Sequence, residues 1–336
     1  MSTKIARRAA LRGIRKAKKY KDYRKMFEGE GRNLDAVMIA TPDRMHTPIA
    51  LLAMQQGKHV YCEKPLTRTA WESQLLADAA AKYKVATQMG NQGWNHEGTR
   101  TACEILWSGD IGEVKELHSW TGGIYGGQPN LPATGPEAAA VPGSLDWDLW
   151  LGCAEPRKFN PLMTNQWRAF IDFSTGGSLG DWLVHNLGPA HLALQLDKVS
   201  PTSVECVFVE GKNQWLWPLR AHVVFEFPAR GSMPPVTVHT YQNMRGDFQN
   251  PAGMGENDRL FPSMNSSHRE AGSSHTPSPR EVVAIWPFEP TKTAPLPGAR
   301  IFGSGEAPGG TALSQIRHLR LGLVTRVTDG ISFCPS

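Results

Sequence analysis

Three side chains stand where they could manage a proton. Lys64 ends the apolar run of VYCEKPLT (60–67), and Asp181 and His185 lie four positions apart in TGGSLGDWLVH (175–185). Proline donates no backbone hydrogen bond and disfavours helix at the residue before it, so Pro65 keeps Lys64 extended at a strand's end. In open α/β sheets that end opens on the ligand crevice. Positions i and i+4 share one face of a helix, which projects a carboxylate and an imidazole together. A histidine exchanges a proton near neutral pH, a carboxylate can orient it, and a lysine in a partly dry cleft can act as a base. The trio suits removal of a hydroxyl proton while hydride leaves the same carbon. The hydride must then pass to a cofactor, since no side chain accepts it. The plainer alternatives are a solvated turn lysine and a structural Asp–His pair inside one helix. Metal is not expected, because a site needs a third protein ligand, His191 falls off the helical face, and His96 and His118 have no useful spacing.

The elements that must position these residues can be read from the pattern. Residues 35–41 (DAVMIAT) form a short apolar run in the style of a buried parallel strand. Residues 47–56 are helical in composition and stop at Gly57, and KHVYCE follows as a second strand. A helix over 68–84, a strand over 85–90, a helix over 97–108 and a strand over 113–120 continue the alternation, which predicts a parallel sheet with right-handed crossovers. The Gly- and Pro-rich stretch 121–165, with aromatic anchors in LDWDLWLG (145–152), reads as a crossover into a second domain. There a helix over 178–196 precedes alternating runs at 203–211, 220–227 and 235–241, the mark of an antiparallel sheet. The expected division is therefore a Rossmann-like domain over 1–120, an α+β domain over 121–245, and an irregular segment over 246–336.

Composition limits the remaining classes. No stretch of the 336 residues approaches the ~20 apolar positions of a membrane span. Five scattered cysteines without CxxC spacing argue against a zinc ribbon or a disulfide framework and suit a reducing, cytoplasm-like compartment. The net charge of +5 is concentrated in residues 4–25, which hold eleven Lys or Arg and one acid, Asp22. That segment reads as a solvated helix face; nucleic acid is not the expected partner, since no groove-reading motif accompanies the charge. Arg7-Arg8 is followed by no apolar stretch of the kind an export signal carries.

AKKYKDYRKM (17–26), DAVMIATPDRMH (35–46), GKHVYCEKPLT (57–67), ATQMGNQG (86–93), LDWDLWLG (145–152) and WRAFIDFSTGGSLGDWLVH (167–185) together resemble the Gfo/Idh/MocA oxidoreductases. That family is typified by glucose-fructose oxidoreductase and inositol dehydrogenase, and the likeness is greatest to its bacterial NADH-dependent dehydrogenase branch. The resemblance implies NAD or NADP as cofactor, with NAD favoured, and a sugar, cyclitol or derivative as substrate. It implies Lys64, Asp181 and His185 as the catalytic group. It also implies Thr41, Pro42, His46, Glu63, Asn91 and Gln92 along the cofactor cleft, with Trp167 and Arg168 closing over it, and assembly of identical copies through the second sheet. The departures shape two expectations. Residues 1–34 contain only Gly13, Gly29 and Gly31 and no GxGxxG turn, whose amides and helix dipole would hold a pyrophosphate. The first βαβ unit is expected to be missing and cofactor binding to be weak. A non-catalytic relative serving only binding or assembly, and NAD-dependent glycosidic cleavage, are the alternatives.

Overall fold

The computed structural model describes residues 17–91, 94, 97–109, 112–124, 127–132 and 134–244, together with 283–287, 321–325 and 331–332. Its first half alternates strands and helices: β1 (Lys19–Tyr20), α1 (Tyr23–Glu30), β2 (Ala36–Ala40), α2 (His46–Gln55), β3 (His59–Glu63), α3 (Ala70–Tyr83), β4 (Thr87–Gly90) and α4 (Glu97–Ser108). Local chemistry sets several ends. Asp22 caps α1 by accepting the Arg24 N–H. Thr69 and Glu72 form a reciprocal capping box at the start of α3, which stops at Lys84 in a left-handed conformation. β2, β3 and β4 pair in parallel, Val37 opposite Val60 and Cys62 opposite Met89. The sheet and its helices bury one cluster around Val37, Ile39, Ile49, Val60 and Cys62.

The second half begins with β5 (Val114–Thr121). It continues through the short helices α5 (Trp147–Leu151) and α6 (Pro161–Asn165), then α7 (Gly177–Asn186) and α8 (Gly188–Ala193). The strands β6 (Ser203–Glu210), β7 (Arg220–Phe227) and β8 (Val236–Gln242) follow. With β9 (Val283–Pro287) they form a five-stranded sheet of order β6-β7-β8-β5-β9, antiparallel except between β5 and β8. One face of it packs on α8 and its C-cap through Leu117, Val238, Ala190 and Leu194. An aromatic cluster of Trp147, Trp150, Phe159, Trp167, Phe170 and Phe173 fills the space between α5, α6 and the approach to α7.

The expected pairing of a parallel Rossmann-like sheet with a largely antiparallel second sheet is what the chain adopts. Three particulars differ from the sequence reading. The strand over 113–120 belongs to the second sheet: β5 lies between β8 and β9 and carries the contacts with α7. The helix over 178–196 is two helices, since α7 ends at Asn186 and α8 restarts at Gly188 with Pro189 in its first turn. Within 246–336, expected to be irregular, β9 joins the second sheet and β10 (Leu321–Thr325) joins the first, parallel to β2 with Gly322 opposite Val37; β11 (Ile331–Ser332) pairs with β1. Most of the basic segment 4–25 lies outside the described residues.

Arg44 fastens the two halves. Its guanidinium is buried between the rings of Trp150 and Phe173, with centroids 4.1 and 4.6 Å away. Its Nε donates to Leu151 O at 2.9 Å and its Nη2 to Trp150 O. A guanidinium stacked on aromatic rings and bonded to carbonyls at once is stiffly held.

The face of the second sheet away from α7 carries an imidazole ladder. His118 stacks on His239 with centroids 4.6 Å apart, and His222 stacks on Tyr241 at 4.3 Å. A ring nitrogen of His222 lies 3.2 Å from one of His239, and Tyr241 Oη lies 3.1 Å from His118 Nδ1. Burial holds His118, His222 and His239 below the ordinary histidine range; Glu116 beside His118 opposes the shift in part. The unfolded chain therefore binds more protons than the folded one just below about pH 6.5, and the stability these rings confer is lost as pH falls through that value. We expect the urea midpoint to drop between about pH 7.5 and about pH 5.5, and His239→Gln to flatten the dependence. A midpoint equally steep in pH with and without His239 would contradict this.

Candidate active site

Lys64 follows directly on β3, and its backbone N–H donates to Gly90 O at 3.1 Å, so the strand pairing runs up to it. The peptide to Pro65 is cis. Its side chain crosses to α7: Nζ donates to Asp181 Oδ1 at 2.6 Å and to Asp181 O at 2.7 Å. Residues 117 positions apart in the chain thus meet, with side chains 20% and 12% exposed. A charge-assisted bond that far from bulk water is much stronger than a surface ion pair. The second carboxylate oxygen, Oδ2, lies 3.4 Å from Arg168 Nε, so one acid sits between two cations. Arg168 in turn lies over the Trp167 ring, 4.3 Å from its centroid.

The helix is placed by its glycines and by its neighbours. Gly176 and Gly177 both take positive φ, 65° and 59°, where a side chain would be strained. A Cβ at Gly180 would lie 1.5 Å from Thr175 O, so only glycine allows this turn to close. On the second sheet, Ser178 Oγ donates to Gly122 O at 2.7 Å and Asn186 Nδ2 to Trp120 O at 2.6 Å. From the first domain, Asn91 Nδ2 and Trp94 Nε1 both donate to Val184 O, at 2.8 and 3.1 Å.

His185 lies on α7 one turn after Asp181, its ring 5.9 Å from that of Trp182. Lys64 Nζ is 5.7 Å from the same Trp182 ring, so the indole neighbours both ammonium and imidazole. The described contacts of the Asp181 carboxylate go to Lys64 and Arg168, and an Asp181–His185 bond is not among them. Beside the expectation that Asp181 orients the imidazole, the structure shows Asp181 holding the lysine.

The residues expected along the cofactor cleft separate into three groups. Thr41 and Pro42 line a cavity of about 430 Å³ that also takes in Lys21, Arg24, Trp150 and Cys153; Lys64, Asp181 and His185 lie outside its lining. Thr41 Oγ1 and Asn91 Oδ1 are buried with no hydrogen-bond partner among the described residues. Buried polar atoms are normally satisfied, so these two at the carboxyl ends of β2 and β4 fit a polar ligand in the crevice. His46 is only 1% exposed, and its two ring nitrogens face Pro65 O and Thr41 O, each at 2.8 Å. It braces the turns after β2 and β3. Glu63 ends β3 opposite Gly90, Trp167 is buried in the aromatic cluster, and Gln92 lies outside the described residues. Asp43, Arg44 and Trp182 were not singled out from sequence; the charged pair after Pro42 in TPDRMH was the available signal. No group of three or more His, Cys, Asp or Glu among the described residues could hold a metal ion.

Comparison with known proteins places the chain in a family. The family model for the oxidoreductase family with an NAD-binding Rossmann fold matches residues 1–91, and the model for the same family's C-terminal α/β domain matches residues 123–216. The chain belongs to the Gfo/Idh/MocA oxidoreductase family. Levoglucosan dehydrogenase of Pseudarthrobacter phenanthrenivorans is 29% identical over 112 residues, 33% of this chain and 29% of that protein. Inositol 2-dehydrogenase of Salmonella typhimurium is 31% identical over 103 residues, 30% of each. The matches thus span under a third of the length of these two relatives. Among solved structures, an inositol dehydrogenase homolog from Azotobacter vinelandii complexed with NAD+ aligns with a TM-score of 0.46 at 20% identity, covering 67% of this chain and 50% of that one. No helix among the described residues is long and apolar enough to cross a membrane.

Gly180 gives the sharpest local test. Gly180→Ala forces its methyl group into Thr175 O and should cost about 1–3 kcal/mol of folding stability in urea titration. A change within about 0.5 kcal/mol would mean the turn has room the structure denies it.

Proposed function

We infer that this chain carries the reacting end of a nicotinamide-dependent dehydrogenase for a hydroxyl-bearing carbon of a sugar, cyclitol or derivative. The observation that carries the reading is the meeting of Lys64 with Asp181 at the carboxyl rim of the first sheet. Lys64 spends two of its three N–H donors on Asp181, which leaves one for a substrate oxygen. His185, on the same helix, is the group that takes or returns the hydroxyl proton. Trp182 and the buried aromatic cluster exclude water on the side of the second domain. Asp181, between Lys64 and Arg168, fixes both cations beside the place where a substrate oxygen would develop negative charge.

A nicotinamide dinucleotide, when bound, would accept or supply the hydride. Thr41, Pro42 and Asn91 are the residues here that fit it, through the two unpartnered oxygens and the cavity beyond Thr41. The sequence contains no GxGxxG turn, so the contacts left for a pyrophosphate are fewer and weaker, and affinity for NADH should be low. NAD is favoured over NADP. Cyclic polyols are the first substrates to examine, because the relatives include proteins named for inositol and levoglucosan. A cytoplasmic setting and assembly through the second sheet belong to the same reading.

Titrating NADH while following its fluorescence, and then incubating the protein with NAD+ and a panel of cyclic polyols and anhydrosugars, tests this directly. We expect weak binding and slow formation of reduced cofactor, with Lys64→Ala slower by about 10²–10⁴-fold. Turnover that survives Lys64→Ala, or none with any polyol at saturating cofactor, would contradict the assignment.

A further inference from the structure

Helix α7 cannot cap itself. Its N-cap is Gly176, which has no side chain to accept the first backbone donors, and such donors need a partner when buried. Within its own domain, Gln242 Oε1 on β8 accepts the Leu179 N–H at 3.2 Å, and the residue just before the N-cap is held from the other domain. Asp43 lies in the short turn between β2 and α2, and its Oδ2 accepts the backbone N–H of Thr175 at 2.8 Å, 132 residues away. Thr175 also donates its hydroxyl to Thr67 O at 2.9 Å, so the turn is held from the first domain at two points. Asp43 is only 6% exposed. A carboxylate at the start of a helix also meets the positive end of its dipole.

We propose that Asp43 is a positioning residue, whose carboxylate holds the turn at Thr175 and so sets where Asp181 meets Lys64. The proposal rests on the reading of Lys64 and Asp181 as the reacting end of the site. The lever is short: Asp181 lies six residues beyond Thr175, and Gly176, Gly177 and Gly180 between them supply no side chains to fix the turn by packing. Ser178 and the Leu179 N–H hold the first turn to the second sheet, while Asp43, with Thr67 O, ties the turn before it to the first domain; without the Asp43 contact the glycines can relax away from the rim that bears Lys64. The environment confirms that the carboxyl sits deep in the site. Burial pushes its pKa up; His46 and Arg168 oppose the shift, Asp181 adds to it, and Cys62 also lies within its field.

Hydrogen–deuterium exchange on the full chain separates the outcomes, with Asp43→Ala and Asp43→Asn beside the parent. Leaving the Thr175 N–H without its buried acceptor should speed exchange at residues 175–183 by about fivefold or more in Asp43→Ala. The amides of β2 and β3 should change by less than about twofold, because only a local opening is involved. Asparagine still offers an accepting oxygen, so Asp43→Asn should stay within about threefold of the parent. Wherever turnover is measurable, Asp43→Ala should lower kcat with KM little changed, and Asp43→Asn should recover most of it. Unchanged exchange in α7, or a rise spread evenly over the first domain, would overturn the proposal. Exchange needs neither cofactor nor substrate, so a protein that oxidises nothing contradicts the dehydrogenase reading and leaves this test decisive.

Discussion

The bond between Lys64 and Asp181 is the constraint on which the arrangement depends. It joins the rim of one sheet to a helix that belongs to another, and neither partner is well exposed. A partly buried cation left without its acid, or the acid without its cation, would be costly, so each half of the molecule is committed to the other's position. Several features serve that commitment. Pro65 ends the strand where the lysine must turn outward, and the glycines before and within α7 let the helix begin close against the rim. His46 ties the turn after β2 to the turn after β3. Arg44, stacked between Trp150 and Phe173, locks the second domain on the same side.

Charge explains why the acid serves the lysine. Asp181 and His185 are separated by one helical turn, yet Lys64 and Arg168 offer full positive charges at hydrogen-bonding or near-bonding distance. A carboxylate prefers charged donors. The imidazole lies one turn on, beside Trp182.

Much of this was legible in the sequence because the signals are local. DAVMIAT and KHVYCE are short apolar runs bounded by turns, and helical stretches alternate with them, so the parallel half follows from pattern alone. Pro65 placed Lys64 at a strand's end and the i, i+4 spacing put Asp181 and His185 on one helical face, while the resemblance grouped the three. What was not legible depends on long-range partners. Nothing within 113–120 states which sheet will take it, since β5 gains its place only by pairing with β8 and β9. The strand Leu321–Thr325 lies in a segment of weak periodicity and is defined by its parallel partner β2. Asp43 and Arg44 read as turn residues in TPDRMH, because their partners, Thr175 and Trp150, lie more than a hundred residues away.

The most direct measurement is a double-mutant cycle on folding stability, using Lys64→Met, Asp181→Leu and the pair together, by urea titration at neutral pH. If the ammonium and the carboxylate meet as described, the two substitutions are coupled, and the double variant is more stable than the sum of the single losses by about 1 kcal/mol or more. Losses that add within about 0.3 kcal/mol would show that the two residues do not touch, and the site built on their meeting would fall with them.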